Sequence, residues 1–90
     1  MGSAAVKIKI MPDSPDADLT AIENKAEEII TKESGKHLKI EREPIAFGLN
    51  AIIITFAWQE DFDRDKLEKE LSHIDNVNSA EIIDFRRAFG

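Results

Sequence analysis

The sequence predicts an α+β fold of four strands and two helices, in the order strand, helix, strand, strand, helix, strand. Three observations carry it. An opening segment alternates cleanly, with Val6, Ile8 and Ile10 on one face and Lys7 and Lys9 on the other. Two acidic stretches, residues 12–33 and 59–75, repeat aliphatic residues at helical spacing. Between them, Ala51 to Trp58 is apolar almost throughout, as expected of a central strand.

Residues 5–11 read as the first, half-buried strand. Met11-Pro12-Asp13-Ser14-Pro15-Asp16 ends it with two prolines, and Asp16 or Asp18 can cap the helix that follows. Leu19, Ile22, Ala26 and Ile29 fall at spacings of three, four and three, with Ile30 beside them. The helix is expected to end near Ser34-Gly35, where glycine supplies the stop. His37 to Glu43 reads as a second strand with Leu38 and Ile40 inward, and its charge density suggests an edge. In the third strand, Ile52, Ile54, Phe56 and Trp58 are expected towards the helices, with Ile53 and Thr55 on the open face. A second helix carries Leu67 and Leu71 and reaches towards Ile74. Asp75 to Asn78 is a turn and Ala80 to Phe85 the last strand. Its facing is ambiguous, because Ile82, Ile83 and Phe85 cannot all point to one side of a regular strand.

Two right-handed βαβ crossovers joined by a hairpin make a ferredoxin-like split βαβ. Its antiparallel sheet has four strands, the first and third central, with both helices on one face. Residues 1–90 read as one domain, free of linkers, repeats and low-complexity runs.

Composition bounds the function. A 90-residue chain has room for a modest core and little for a deep active site. With no cysteine, a disulfide framework, a thiolate nucleophile and cysteine-ligated metal centres are excluded. Met1-Gly2-Ser3-Ala4-Ala5-Val6 lacks the basic region and apolar run of a signal peptide, and no stretch reaches the ~18 apolar residues of a membrane span. Cytoplasmic residence, with no membrane, is the expectation. The net charge is −6, concentrated in the two helical stretches, which hold seven acidic residues each against two and three basic ones. That balance argues against direct nucleic-acid binding, which needs a basic surface. It suits docking on a basic protein, or simply a solvated helix face.

No catalytic constellation emerges. His37 and His73 are isolated, Glu27-Glu28 and Asp63/Asp65 read as helix faces and caps, and Gly35 and Gly48 stand alone without a phosphate loop. The expectation is a protein that is not an enzyme and needs no cofactor or metal.

Two segments remain. In Glu43-Pro44-Ile45-Ala46-Phe47-Gly48-Leu49-Asn50, proline belongs at a strand end and Gly48 permits a positive φ, so Phe47 sits on a tight hairpin connection. Such an aromatic either folds back over the core or stands out for a partner's pocket. Arg86-Arg87 follows the final strand near the carboxy terminus. It is either solubilising charge at a frayed end or a cationic probe for an anionic site on another molecule.

The Pro44-Ile45-Ala46-Phe47-Gly48-Leu49 block, the opening strand ending in Met11-Pro12, the acidic segment before the first helix and the closing Val77 to Ile82 together resemble the elongation factor 1-beta family. The likeness is to its free-standing archaeal form and to the carboxy-terminal domain of the eukaryotic subunits, and it covers essentially the whole chain. It implies a ferredoxin-like fold and guanine-nucleotide exchange on elongation factor 1-alpha, the GTPase that carries aminoacyl-tRNA. It implies Pro44, Phe47 and Gly48 as a partner-binding turn. It also implies Arg87, with Arg86 as the alternative, at the position of a near-terminal lysine that in eukaryotic members reaches the partner's Mg²⁺ site. A monomer when free is the matching expectation.

A different class stays open: a regulatory or ligand-sensing module of the same fold that pairs through its sheet. Ile53 on the open face favours such pairing and Lys7 and Lys9 oppose it. An acylphosphatase-like enzyme needs an arginine-bearing phosphate loop after the first strand, where this chain reads Met11-Pro12-Asp13-Ser14-Pro15.

Overall fold

A computed structural model describes residues 3–59 and 63–88. The Glu60-Asp61-Phe62 approach to the second helix and the Phe89-Gly90 end lie outside the described residues. The elements are β1 (Ser3–Pro12), α1 (Leu19–Lys32), β2 (Lys36–Pro44), a 3₁₀ turn (Ala46–Gly48), β3 (Asn50–Gln59), α2 (Arg64–Ser72) and β4 (Val77–Ala88). The strands form one antiparallel sheet in the order β2-β3-β1-β4, so β1 and β3 are central and the charged β2 is an edge. This is the expected ferredoxin-like α+β layout.

The register explains the core. Val6, Ile8 and Ile10 of β1 stand opposite Phe56, Ile54 and Ile52 of β3, and Ala4 opposite Trp58. Alternation puts all eight on one face, where they are buried with Ile22, Ala26 and Ile30 of α1 and Leu67 and Leu71 of α2. Each large aliphatic side chain buried there contributes roughly 1.5–3 kcal/mol. Trp58 closes the end of this layer. Its ring meets Phe56 edge-on at 5.8 Å, and its indole Nε1–H donates to the Glu33 carbonyl at 2.9 Å, so its polar atom is satisfied in the interior.

The helix starts follow the capping rule. Asp18, rather than Asp16, accepts the Ala21 N–H at 3.1 Å, and Asp63 accepts that of Lys66 at 3.1 Å. The end of α1 departs from expectation. Ser34, with φ 71°, takes the left-handed conformation, and Gly35 is needed for another reason. A Cβ on Gly35 would collide with the Ile30 Cγ2 and lie 3.0 Å from the Phe56 Cδ2. Helix α2 stops at Ser72, and Ile74 packs half-buried against the core beyond it. Strand β4 is longer than its apolar run, because pairing with β1 continues from Val77 to Ala88.

Candidate partner-binding site

The β2–β3 hairpin closes at the Pro44–Asn50 pair. Inside it, the Ile45 N–H donates to the Leu49 carbonyl at 2.7 Å and the Leu49 N–H to the Ala46 carbonyl at 3.4 Å. Pro44 therefore sits where a missing donor costs the sheet nothing, at the end of an edge strand. Gly48 takes φ 76°, as a glycine at a tight turn can, and Phe47 before it takes φ 65°. Two consecutive positive φ values turn the chain sharply and throw the ring outward. Phe47 is 93% exposed, and the reading in which it folds back over the core does not hold.

The hairpin is held from two sides. On β2, the Arg42 Nε donates to Glu23 Oε2 at 2.8 Å, and its Nη2 donates to Glu23 Oε1 at 3.3 Å and Thr20 Oγ1 at 3.2 Å. The hydrogen bond and charge of Glu23 raise the Arg42 pKa above its ordinary value. This anchors the hairpin's base to α1 two residues before Pro44. Towards the tip, a Cβ on Gly48 would stand 3.9 Å from the Cβ of Pro15, so the turn leans on the β1–α1 loop. Sequence spacing gives no sign of either contact, since the partners lie 19 or more residues apart.

The basic tail lies elsewhere. Arg87 pairs with Ala4 of β1, and Ala4 with Trp58, eight residues along β3 from Asn50. At about 3.3 Å per residue, the tail stands roughly 26 Å from the base of the Phe47 turn, at the opposite end of the sheet. Pro44, Phe47 and Gly48 are thus brought together, and Arg86 and Arg87 form a separate group. Within that group the faces differ. Arg86 points to the helix-free side, where its Nε donates to Asp84 Oδ2 at 3.1 Å and Oδ1 at 3.3 Å. Arg87 alternates to the helix side, the face of Phe85. There the Arg64 guanidinium lies over the Phe85 ring, 4.6 Å from its centroid. Both His37 and His73 are exposed.

On the helix-free face, Ile53 lies between Glu41 and Lys9 and is only 7% exposed. The large hydrophobics exposed among the described residues are Phe47 and Ile83. No described helix is long and apolar enough to cross a membrane.

Sheet order, core and exposed turn define a small ferredoxin-like α+β protein whose most exposed large apolar side chain, among the described residues, is one aromatic on a hairpin tip. The chain belongs to the EF-1 guanine nucleotide exchange domain family, which it matches over residues 5–88. Curated relatives run nearly its full length. Elongation factor 1-beta of Methanothermobacter thermautotrophicus is 39% identical over 88 residues, covering 97% of this chain and 98% of that protein. The Methanosarcina barkeri elongation factor 1-beta is 36% identical over 88 residues, covering 97% and 99%. That of Nanoarchaeum equitans is 37% identical over 82 residues, covering 90% and 100%.

Proposed function

We propose that this chain promotes GDP release and GTP loading on the elongation factor 1-alpha GTPase, in the cytoplasm, without covalent chemistry of its own. The observation that carries this reading is the Phe47 ring, 93% exposed on a backbone with φ 65°. Holding a phenylalanine in that conformation costs on the order of 1 kcal/mol, and leaving its ring in water forgoes roughly 2 kcal/mol more. A domain with no use for the ring gains by replacing it. A pocket on a partner recovers the second of these by taking the ring out of water.

The role needs no active-site acid or nucleophile. An exchange factor binds the nucleotide-free GTPase better than the loaded one, and linkage lowers nucleotide affinity by the same factor. Much of a GTPase's hold on its nucleotide comes through phosphate-bound Mg²⁺. A cation brought to that site competes with the metal, which is the part proposed for Arg87. Arg86 can take it only by leaving Asp84. Because turn and tail are roughly 26 Å apart along the sheet, a partner touching both must span the domain. Pairing through the sheet, the basis of a regulatory module, finds little support in an open face whose central isoleucine is already covered.

The test is release of a fluorescent GDP from elongation factor 1-alpha of the source organism, with Mg²⁺ present. Acceleration at substoichiometric chain, weakened by Phe47→Ala, supports the reading, and Arg86→Ala and Arg87→Ala tell whether the tail takes part. A folded chain that gives no acceleration at any concentration sinks it, and an obligate dimer in light scattering then favours the regulatory module.

A further inference from the structure

Strand β2 changes its means of attachment partway along. It is an edge strand paired with β3, and its inward face carries Leu38 and Ile40, half-buried against the core. The next inward position is Arg42, opposite Ile52. There apolar packing gives way to hydrogen bonds, and the arginine side chain is 45% exposed. Its guanidinium meets Glu23 Oε2 at 2.8 Å, Glu23 Oε1 at 3.3 Å and the Thr20 hydroxyl at 3.2 Å. Thr20 and Glu23 lie one turn apart on α1 and so share a face. Among the described residues, the side-chain hydrogen bonds that tie β2 to a helix are those of Arg42. Past it come Glu43 and Pro44, and then the turn that carries Phe47.

We infer that Arg42 is a positioning residue for partner binding: by fixing β2 to Glu23 and Thr20 of α1, it holds the Phe47 turn in the orientation that a partner's pocket takes. The inference rests on the exchange-factor reading above and deepens it. A turn at the end of an edge strand, beyond the last buried apolar residue of that strand, is otherwise free to flex. A partner that takes Phe47 from a swinging turn must still it first, at an entropic cost to affinity. Bonds made before the partner arrives remove that cost. A guanidinium suits the task, because its planar fork fixes direction as well as distance, where an ammonium is a point charge. An ion pair this exposed adds little to the stability of the domain, so its consequence lies in the orientation it imposes.

The experiment measures affinity for nucleotide-free elongation factor 1-alpha, and GDP release over a range of chain concentrations. The chains compared are the unaltered one, Arg42→Ala, Arg42→Lys, Phe47→Ala and the Arg42→Ala, Phe47→Ala pair. Arg42→Ala is expected to weaken binding roughly three-fold and to raise the concentration for half-maximal release by the same factor, with the maximal rate kept. Arg42→Lys keeps the charge without the fork and recovers part of the loss. On top of Phe47→Ala, Arg42→Ala is expected to change nothing, because no ring is left to aim. Without the partner, amide exchange at Ile45 and Leu49, whose N–H groups close the turn, is expected to quicken in Arg42→Ala while the β1–β3 amides keep their protection. Three results overturn the role: unchanged affinity with Arg42→Ala, an equal loss with and without Phe47, or unaltered amide exchange at the turn. The second would make Arg42 a direct contact or a general support of the fold. If the unaltered chain neither binds nor accelerates release, the exchange-factor reading falls and the positioning role with it. If the chain does both and Arg42→Ala matches it, only the positioning role falls.

Discussion

Ile82 and Phe85 lie three residues apart in β4 and yet point to the same side of the sheet. Ile82 stands opposite Ile8 and Phe85 opposite Val6, so two residues of β1 are matched by three steps of β4. The extra residue is Ile83, a β-bulge that leaves its side chain 46% exposed between Ile82, which faces in, and Asp84, which faces out.

Removing the bulge residue restores strict alternation. Deletion of Ile83 leaves Ile82, Asp84 and Phe85 facing in, out and in, with Phe85 to Arg87 still opposite Val6 to Ala4. The shortened chain is expected to fold and to keep the proposed exchange activity. Deletion of Lys7 from the central β1 instead sends one half of that strand's apolar residues to the wrong face, and no cooperative unfolding transition is expected. Circular dichroism with thermal melting compares the two.

The α1–β2 junction yields opposite effects at adjacent positions. Ser34→Gly relieves a left-handed serine and is expected to stabilise by about 0.5–1 kcal/mol. Gly35→Ala drives a methyl into Ile30 and against Phe56, and is expected to cost about 1–3 kcal/mol. Urea unfolding followed by the single tryptophan, Trp58, reports both. If Gly35→Ala proves neutral, the close approach is not what requires the glycine.

This junction also shows why some of the molecule was legible in its residues and some was not. Periodicity reads which face of an element is apolar, and it placed Val6, Ile8, Ile10, Ile22, Ala26 and the alternate residues of β3 in the core correctly. It does not read a bulge, so the facing of β4 stayed ambiguous at Ile83. Glycine is the residue type that favours a helix stop, yet the positive φ falls one residue earlier, at Ser34. For the site, Pro44 and Gly48 announced a turn, but whether Phe47 stands out or folds back depends on two successive positive φ values that no periodicity encodes. The distance between turn and tail was implicit in strand order. Arg42 and Arg64 were not, because their partners are distant in sequence.

Strain and exposure at Phe47 predict a separation of stability from activity. Phe47→Asn puts a residue tolerant of left-handed backbone at the position and removes an exposed ring. Stability is expected to stay level or rise by up to about 1 kcal/mol. Acceleration of GDP release is expected to fall at least ten-fold, on the order of the 1.4 kcal/mol that a modest anchor residue supplies. A variant that loses stability and activity in proportion would mean that the turn serves the fold alone.

The last prediction concerns how α2 holds the outer edge of the sheet. Strand β4 is an edge, and an edge exposes backbone donors that need partners. Glu68 supplies one: its Oε2 accepts the Ile82 N–H at 2.6 Å, one helical turn along from Arg64 and its contact with Phe85. The two contacts together clip α2 to β4 beside the bulge, which breaks the regular ladder at Ile83. Glu68→Ala removes the acceptor and leaves a partly buried N–H unpaired, at an expected cost of about 1–2 kcal/mol. Glu68→Gln retains a carbonyl oxygen at the same reach and is expected to recover more than half of that loss. Amide hydrogen exchange gives the sharper reading, because protection should fall selectively at Ile82 and its neighbours in Glu68→Ala while the β1–β3 amides keep theirs. Uniform loss across the sheet would instead mean that Glu68 supports the fold globally and that the edge needs no such cover.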